Sequence, residues 1–510
     1  MTAALDSSRI VAVVGSGAMG AGIAQVAAVA GHPVRLFDAR AEAADKAIAD
    51  IRKTFGKLVE KGKMSADAAA AAGARLQSVT ALDQLGDASL VVEAIVENLD
   101  AKRGLFADLE AVVGDDCILA TNTSSISVTA IAARLRRPQR LVGMHFFNPV
   151  PLMALVEVVS GLATEREVAD VVHATADAWG KSPVHAASTP GFIVNRVARP
   201  YYAESLRVAT EQGGKPATLD AVMREAGGFR MGPFELMDLI GHDVNFAVTS
   251  SVFAAYFNDQ RFTPSLMQQE LVNAGFLGRK TGRGFYRYDE DAAPVVPDTE
   301  APRAAPARVA LHGQGAWLDA LAARVAAAGV ELVRHATGDR DGAFIECGEV
   351  RVYLTDGRTA TRRAADLALS NTVLLDLALD FSSAKRVALA PADQCGEAAF
   401  DAAVGLFQAA GYAVSRLGDV PGMAVMRTVA MLANEAADAV NQGVCSVREV
   451  DIAMQKGVNY PRGPLAWADA IGLGYLQTVL HNLAATYGED RYRVSPLIQR
   501  QVANGRNFHD

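Results

Sequence analysis

The chain has 510 residues, half of them hydrophobic, and a formal net charge of −8 at pH 7. This length predicts three or four domains, and the acidic balance argues against a nucleic-acid partner. We expect no membrane span and no signal peptide, because no run of about 18 apolar residues occurs and Met1–Asp6 lacks basic and apolar regions. Four scattered cysteines without a C-x-x-C motif favour reduced thiols in a cytoplasmic protein and no structural metal.

A glycine-rich turn follows the first predicted strand, Val11–Val14. Gly15, Gly17 and Gly20 have G-x-G-x-x-G spacing, and an apolar helical run from Ala21 to Ala30 comes next. This order predicts a strand–turn–helix in which backbone N–H groups and the helix N-terminus bind a pyrophosphate. The alternative is a glycine-rich turn in some other α/β protein.

The residues that complete this motif favour NAD as the cofactor. Ala18 and Met19 lie within the turn, and a second predicted strand, Val34–Phe37, ends at Asp38. The Asp38 carboxylate can accept hydrogen bonds from ribose hydroxyls and would repel a 2′-phosphate, which favours NAD over NADP. The nearby cation of Arg40 weakens that preference.

A basic helical face follows in the first domain. Lys53, Lys57 and Lys61 recur at i, i+4 spacing, and Lys63 comes shortly after. Such a run is usually a solvated face. In a protein that is acidic overall, it is also a candidate site for a polyanionic part of a substrate.

Polar residues follow two further predicted strands. Ser89–Val96 is apolar apart from Ser89 and Glu93 and runs into Glu97, and Cys117–Ala120 is followed by Thr121–Ser125. In open α/β sheets, ligands bind beyond the carboxyl ends of the strands. These segments are therefore candidate binding loops.

A histidine and a glutamate are candidates for acid–base chemistry. His145 ends a short apolar strand that begins at Leu141, and Glu157 lies between apolar neighbours twelve residues later. A carboxylate is costly to bury unless it is paired, and a carboxylate-bound imidazole keeps its other nitrogen free as a general base. The alternative is a core histidine and a glutamate at a sheet edge.

Seven motifs in order resemble the L-3-hydroxyacyl-CoA dehydrogenase family over about residues 8–288. The resemblance implies NAD-dependent oxidation of an (S)-3-hydroxyacyl-CoA to the 3-ketoacyl-CoA. The motifs are Gly15–Gly20, Val92–Glu97, Asn122–Ser125, His145–Pro151, Thr189–Arg196, Met231–Leu236 and Lys280–Tyr286.

The resemblance also implies residue roles. His145 is the base for the 3-hydroxyl proton, Glu157 orients it, and Ser124 and Asn195 position the hydroxyl and thioester groups. Ser124 could instead cap a helix, and Asn195 could be a buried amide bonded to backbone. The positions that match cofactor-lining residues are Glu97, Lys102, Asn148 and Lys280, and those that match the CoA-phosphate helix are Lys53, Lys57 and Lys61.

The rest of the chain resembles a second copy of the first part. Pro421–Arg427 matches Pro190–Arg196 at an offset of 231 positions, and this register continues without gaps to Gly472, opposite Gly241. A second register, offset by 298, places Val309–Gly315 opposite the glycine loop. The second copy lacks candidate site residues of the first half: Leu318 replaces Gly20, Ala336 replaces Asp38 and Met426 replaces Asn195. We therefore expect it to be inactive.

These patterns predict an α/β Rossmann-type nucleotide-binding domain followed by an all-helical domain, with a degenerate second copy of both. We expect the second half to be structural and to give either a monomer with an internal pseudo-dimer or a homodimer. In the first helical domain we predict helices over Ile193–Gln212 and Leu219–Ala226 and a third that opens at Gly232–Pro233. The predicted boundaries are 1–189 for the NAD-binding domain, 190–288 for the helical domain, 289–306 for a linker rich in proline, 307–420 for the degenerate Rossmann-like domain and 421–510 for the degenerate helical domain.

Three functional interpretations remain open. Dehydrogenases of the 3-hydroxyisobutyrate type share the G-x-G-x-M-G turn but use a lysine of the helical domain, and a non-catalytic NAD-binding protein is also possible. For a 3-hydroxyacyl-CoA dehydrogenase, the two-half layout is similar to bacterial enzymes of phenylacetate catabolism that act on 3-hydroxyadipyl-CoA. The alternative substrate is 3-hydroxybutyryl-CoA. Candidate cations for a dicarboxylic tail are Arg196, Arg199 and Arg230.

Overall fold

The computed structural model describes residues 3–293 and 295–510. Met1 and Thr2 of the predicted first domain and Pro294 of the predicted linker lie outside the described residues. The chain divides into two compact units. Unit 1 is Met1–Arg196 with Gln442–Val458, and unit 2 is Val197–Asn441 with Asn459–Asp510. No helix in the described part of the chain is long and apolar enough to cross a membrane.

Among residues 3–293 and 295–510, the strands form two sheets, one in each unit. In chain order they are β1 Val11–Val14, β2 Val34–Phe37, β3 Leu76–Val79, β4 Leu90–Glu93, β5 Ile118–Thr121, β6 Leu141–Phe146, β7 Leu155–Ser160, β8 Ser182–Ala187, β9 Arg308–His312, β10 Glu331–His335, β11 Phe344–Cys347, β12 Val350–Leu354, β13 Thr372–Leu375, β14 Arg386–Pro391 and β15 Ala413–Arg416.

The α-helices alternate with strands in the two nucleotide-type domains and follow one another elsewhere. In chain order they are α1 Ala18–Val29, α2 Ala43–Glu60, α3 Ala66–Ala74, α4 Leu99–Val112, α5 Val128–Ala132, α6 Arg166–Ala178, α7 Val194–Val197, α8 Arg199–Thr210, α9 Pro216–Glu225, α10 Pro233–Ile240, α11 His242–Ala255, α12 Leu266–Asn273, α13 Ala316–Ala327, α14 Ala360–Leu367, α15 Glu397–Ala409, α16 Val425–Asn441, α17 Val447–Gly457, α18 Pro464–Ile471, α19 Leu473–Tyr487 and α20 Pro496–Asn504.

The sheet of unit 1 has the order β3-β2-β1-β4-β5-β6-β7-β8. Neighbouring strands are parallel except for the antiparallel pair β6 and β7. Strand β1 is buried along its whole length, as expected for a parallel sheet with both faces covered. The predicted Rossmann-type domain is confirmed, and its first helix begins at Ala18, earlier than the predicted start at Ala21.

The sheet of unit 2 is a reduced version of the first, with the order β10-β9-β11-β12-β13-β14-β15. Helix α13 spans Ala316–Ala327, which is Ala18–Val29 of α1 displaced by 298 positions. The sheets differ beside the first strand: β11 is antiparallel to both β9 and β12, whereas β4 is parallel to its neighbours. The predicted degenerate second copy is thus confirmed, with one strand reversed.

The predicted continuous helix over Ile193–Gln212 is wrong, because α7 and α8 are separated at Ala198. Pro200 accounts for the break, since proline cannot donate its backbone N–H and its ring clashes with the preceding turn. In the second copy the corresponding residue is Met431, and α16 is continuous. The third predicted helix is α10, which begins at Pro233 with Gly232 as its N-cap.

Each helical half contributes one helix to the sheet of the other half. In unit 1, α17 of the second half packs on β7 and β8, and in unit 2, α9 of the first half packs on β14. Two backbone hydrogen bonds repeat this exchange at the 231-residue offset: Ala187 N to Val444 O (2.8 Å), and Gly418 N to Gly213 O (2.9 Å). The duplication therefore includes the packing of the copies as well as their sequence.

Buried ion pairs join the two helical halves within unit 2. Glu204 accepts hydrogen bonds from Arg427 Nε (2.9 Å) and Arg491 Nε (2.8 Å). Arg261 lies 3.1 Å from Glu435 and also pairs with Asp438. Charged groups are costly to bury without partners, so each half supplies counter-charges that the other half needs.

The segment 289–306, rich in proline and alanine, has no regular helix or strand among its described residues. It is nevertheless held in place within unit 2. Asp298 N donates to Thr218 Oγ1 (3.0 Å), and Glu300 N donates to Val414 O (2.8 Å). This segment therefore follows the surface of the second nucleotide-type domain.

Candidate active site

The glycine loop connects β1 to α1 with a geometry that few other residues allow. Gly15 has a φ of 102°, and a Cβ there would lie 2.5 Å from Ala94 O. A Cβ on Gly20 would lie 1.8 Å from Gly15 O, so α1 can pack this closely only on glycine. By contrast, a Cβ on Gly17 would have nothing within 4 Å, and no side chain caps the helix there. The loop therefore leaves room for a pyrophosphate at the N-terminus of α1.

Asp38 joins the end of β2 to this loop. Its carboxylate accepts hydrogen bonds from Ser16 N (2.8 Å) and Ser16 Oγ (2.7 Å), and also from Arg40 Nε (3.0 Å). Arg40 and then Ser16 hold the pKa of Asp38 well below its usual range. The group is thus an anion at neutral pH, which can accept hydrogen bonds from ribose hydroxyls and repel a 2′-phosphate, although Arg40 lies beside it.

We expect the protein to prefer NAD⁺ over NADP⁺ by about 100-fold or more in kcat/KM. The Asp38 carboxylate would lie close to a 2′-phosphate, and juxtaposed like charges cost several kcal/mol. Asp38→Asn keeps an acceptor for Ser16 but removes the charge, so it should lower this ratio, mainly through KM. The control Arg40→Gln should leave the ratio unchanged or raise it. An unchanged ratio in Asp38→Asn would contradict the assignment.

His145 and Glu157 form a buried pair on neighbouring strands. They are opposite each other in the antiparallel register of β6 and β7, and His145 Nδ1 lies 2.6 Å from Glu157 Oε2. The other carboxylate oxygen accepts hydrogen bonds from Ile193 N (3.0 Å) and Val194 N (2.9 Å). Since a carboxylate only accepts, Nδ1 carries the imidazole proton and Nε2 is the basic nitrogen.

Two phenylalanine rings surround this imidazole. The centroid of Phe147 is 4.6 Å from that of His145, and the centroid of Phe192 is 5.8 Å away. Phe192 has a φ of 46°, which belongs to the tight turn that leads into α7 and presents its N–H groups to Glu157. The turn, the glutamate and the histidine thus form one rigid arrangement.

A second network links the carboxyl ends of β4 and β5. Glu97 accepts hydrogen bonds from Thr123 Oγ1 (2.7 Å), Ser124 N (3.0 Å) and Ser125 N (3.0 Å). Burial would raise the pKa of Glu97, but these donors and Lys102 lower it to about 2. The carboxylate thus fixes the backbone that carries Ser124, whose own Oγ lies 3.4 Å from it.

Two residues of this region were not predicted as site residues. Glu93, buried at the end of β4, accepts hydrogen bonds from Lys102 Nζ (2.6 Å) and Thr121 Oγ1 (2.6 Å). Asn122 Oδ1 accepts the N–H of Phe146 (2.8 Å), which ties the end of β5 to the strand of His145. The sequence could have predicted that Glu93 is buried and paired, because it is a lone carboxylate in an apolar strand, as Glu157 is.

The structure brings most predicted site residues into unit 1. Lys102 is buried between Glu93 and Glu97, whereas Lys280 lies in unit 2 with its ammonium 2.6 Å from Asp243. The basic residues are exposed, two within α2 and one directly after its end. The residues in unit 1 are Gly15, Gly17, Ala18, Met19, Gly20, Asp38, Lys53, Lys57, Lys61, Glu97, Lys102, Ser124, His145, Asn148, Glu157 and Asn195.

In the second copy an aspartate replaces the histidine. At the 231-residue offset, Asp376 corresponds to His145 and Ala388 to Glu157. Asp376 accepts hydrogen bonds from Ala424 N, Val425 N and Met426 N at 2.8–3.0 Å, and burial raises its pKa to about 6. One carboxylate thus binds the start of the following helix, as Glu157 does, but the imidazole of the first copy has no counterpart at this position.

A nucleotide-type sheet that carries a buried His–Glu pair combines a dinucleotide site with a candidate general base, as an alcohol dehydrogenase that uses a nicotinamide cofactor requires. Comparison with known proteins defines the family. Residues 10–189 match the NAD-binding domain of 3-hydroxyacyl-CoA dehydrogenase, and residues 191–288 and 422–508 both match its C-terminal domain. Residues 352–421 match the reduced Rossmann-fold domain of 3-hydroxybutyryl-CoA dehydrogenase. The chain belongs to the 3-hydroxyacyl-CoA dehydrogenase family and binds NAD.

Some relatives match nearly the whole chain, and others match a little over half of it. The 3-hydroxyadipyl-CoA dehydrogenase of Escherichia coli K12 is 44% identical over 97% of each chain. A crystal structure of E. coli 3-hydroxybutyryl-CoA dehydrogenase has a TM-score of 0.88 and 43% identity, covering 98% of this chain and 99% of that one. The 3-hydroxybutyryl-CoA dehydrogenase of Clostridioides difficile is 40% identical over 55% of this chain and 99% of its own length.

Proposed function

We propose that this enzyme oxidises (S)-3-hydroxyadipyl-CoA to the 3-ketoacyl-CoA in the cytoplasm, as a step of phenylacetate catabolism. The observation that carries the substrate is the relative named for 3-hydroxyadipyl-CoA, which matches this chain through both halves. The short-chain substrate 3-hydroxybutyryl-CoA is the second candidate, because a solved structure of the same two-half length bears that name. The four cysteines are present as thiols, which is compatible with a reducing compartment.

His145 is the proposed general base. Its Nε2 would take the proton of the 3-hydroxyl group, and the buried Glu157 carboxylate would stabilise the imidazolium that forms. The loop from Gly15 to Gly20 would hold NAD⁺, which would supply the hydride acceptor for oxidation at C3. Ser124 and Asn195 would position the hydroxyl and thioester groups, with Ser124 held by the backbone bonds of its loop to Glu97.

The cofactor would be held by the loop from Gly15 to Gly20 and by Asp38, with contributions from Glu97, Asn148 and Lys280. We propose a different part for Lys102, since its ammonium is buried against Glu93 and Glu97. From there it would fix the Glu97 carboxylate, which in turn fixes the loop that carries Ser124.

The exposed lysines of α2 would bind the CoA phosphates. Lys53 and Lys57 lie on the face opposite the buried residues Ile48, Ile51 and Phe55, and Lys61 caps the C-terminal end of the helix. Lys53 pairs with Asp50 at 3.3 Å. A competing role is structural, since cations at a helix C-terminus are favoured by its dipole.

Comparison of two substrates tests the assignment. We expect kcat/KM for 3-hydroxyadipyl-CoA to exceed that for 3-hydroxybutyryl-CoA by about 10- to 100-fold, the contribution of a charge-assisted hydrogen bond to the tail carboxylate. Of the candidate cations, Arg230 has an exposed side chain, whereas Arg196 and Arg199 are buried. Arg230→Met should therefore reduce the preference and leave 3-hydroxybutyryl-CoA turnover unchanged. Equal rates for both substrates would instead favour the short-chain alternative.

We further propose that the chain acts as a monomer whose second half replaces a partner subunit. Buried ion pairs between the two helical halves support this, namely Arg261 with Glu435 and Arg427 with Glu204, and a partly exposed pair adds Arg207 with Glu489 (2.7 Å). Sedimentation equilibrium of the full chain at micromolar concentration should give the mass of one chain. A stable dimer would contradict the proposal.

A further inference from the structure

The second half contains a cavity of about 500 Å³ that the dehydrogenase reaction does not use. It lies entirely within unit 2, between the reduced Rossmann-type domain and the second helical half. Its wall includes four aromatic side chains, Trp317, Phe381, Trp467 and Tyr475. It also includes two arginines, Arg363 and Arg462, and two aspartates, Asp341 and Asp380.

Several residues that line the cavity are aromatic, whereas their counterparts in the first half are aliphatic. At the 231-residue offset, Trp467 replaces Leu236, and Tyr475 replaces Val244. At the 298-residue offset, Trp317 replaces Met19. Three aliphatic positions have thus become aromatic in the copy that lost its catalytic pair, and all three face one cavity.

The cavity also gained a cation. Arg462 replaces Met231, and among the described residues its guanidinium is in no hydrogen bond and no ion pair within 4 Å. Asp380, also in the cavity wall, interacts with Arg462 electrostatically and already accepts hydrogen bonds from Ser382 and Ser383. Arg363 at the floor is different, because it donates to Leu354 O and Asp341 O (both 2.9 Å). Arg462 is therefore the cation available to a ligand.

A dinucleotide does not fit this cavity. The indole of Trp317 lies against the segment that corresponds to the glycine loop of the first half, since a Cβ on Gly315 would lie 3.2 Å from it. In the first half the equivalent space beside Gly17 is open. Ala336 also stands where Asp38 supplies the ribose acceptor in the first half. Trp317 thus occupies the space where a dinucleotide phosphate would bind, and Ala336 cannot bind a ribose as Asp38 can. The same cavity has gained aromatic side chains.

We propose that this cavity binds a small aromatic anion, with the ring between the aromatic side chains and the acidic group on Arg462. Aromatic surfaces favour a flat apolar body through offset or edge contacts. A guanidinium is suited to a planar anionic group such as a carboxylate or sulfonate. The second half would then be a binding domain in addition to its structural role.

The test uses the aromatic sulfonate 8-anilinonaphthalene-1-sulfonate as the probe, with the full chain and excess NAD⁺ to occupy the first-half site. Of the three tryptophans, Trp317 and Trp467 line the cavity, and Trp179 lies in unit 1. Bound dye should therefore quench tryptophan emission and emit by energy transfer, saturating at one dye per chain. Arg462→Gln should weaken binding about tenfold, the effect of losing a charge-assisted hydrogen bond.

Two further variants make the result decisive. Ala470 is exposed at the cavity wall, so Ala470→Phe fills the cavity from a position that tolerates a larger side chain and should also weaken binding. Arg500→Gln removes an exposed arginine outside the cavity and should change nothing. Circular dichroism verifies that each variant is folded. Equal dye affinity in all variants, displacement of the dye by NAD⁺, or no energy transfer would each overturn the proposal.

Discussion

Replacement of His145 by alanine is expected to lower kcat by about 10²- to 10⁴-fold and to leave NADH affinity unchanged. That range is the usual contribution of a positioned general base or acid. Glu157 holds the proton on Nδ1 at 2.6 Å, so Nε2 is the nitrogen that exchanges a proton with the substrate oxygen. The measurement is the initial rate of NADH oxidation with acetoacetyl-CoA and with 3-ketoadipyl-CoA, together with a titration of NADH binding.

Glu157→Gln separates the charge of the carboxylate from its structural role. The amide oxygen can still accept the N–H groups of Ile193 and Val194, so the turn into α7 should persist. The amide nitrogen would donate to Nδ1 and shift the imidazole proton to Nε2, and this tautomer cannot act as the base. We expect a loss similar to that of His145→Ala. His173→Ala, at a half-buried histidine outside the pair, is the control, and equal activity in all three variants would remove the pair from the mechanism.

The first nucleotide domain was predictable because its local patterns and its global fold agree. Val11–Gly20 specifies strand, turn and helix through residues that sterics require at Gly15 and Gly20. The His145–Glu157 pair was predictable for a related reason. A lone carboxylate in an apolar strand needs a partner, and antiparallel pairing of β6 with β7 supplies one.

For the second half, the sequence predicts which helices correspond to those of the first half, but it does not predict the strand directions. The offsets of 231 and 298 place α13 and α16 opposite their counterparts, but two registers imply a deletion between them. There β11 replaces β4 with the opposite direction, a change of topology that local pattern does not reveal. The exchange of Asp376 for His145 lies upstream of Pro421, where the 231-residue register continues back into β13.

Long-range polar contacts were the least predictable. Lys102 matches a cofactor position in the family motif, yet its ammonium is buried against Glu93 nine residues away in sequence. The break of the long helix before α8 could have been predicted from Pro200 alone.

The packing of α17 on β7 and β8 depends on backbone and side-chain hydrogen bonds such as His185 N to Glu449 Oε1 (3.0 Å). No local sequence pattern encodes that contact.

Loss of the Glu204 charge is expected to cause the largest change in stability, about 3–5 kcal/mol for Glu204→Gln. This carboxylate is fully buried and binds Arg427 and Arg491, two cations from the other helical half. Removal of one partner of a buried pair leaves uncompensated charge, which is the costly case. Denaturant unfolding of the full chain measures it, with the exposed Glu270→Gln as a control that should change stability by less than about 0.5 kcal/mol.

A double variant tests the physical cause. If the cost comes from orphaned cations, Glu204→Gln combined with Arg491→Met should be less destabilised than the sum of the two single variants. Tyr492 Oη also donates to Glu204 (3.0 Å) and can keep a bond to the amide oxygen of the variant. Strict additivity would mean that Glu204 stabilises the interface through shape and not through charge.

The same carboxylate predicts an acid-sensitive interface. Burial would raise the pKa of Glu204, but Arg491 and Arg427 outweigh it and hold the pKa at about 2, below the ordinary 4.5. The ionised group therefore contributes its full stability above about pH 4.5, and this contribution is lost as the pH falls towards 2. Wild type should lose stability in that window, and Glu204→Gln should lose less over the same range. Parallel curves for the two proteins would show that other carboxylates control the acid unfolding.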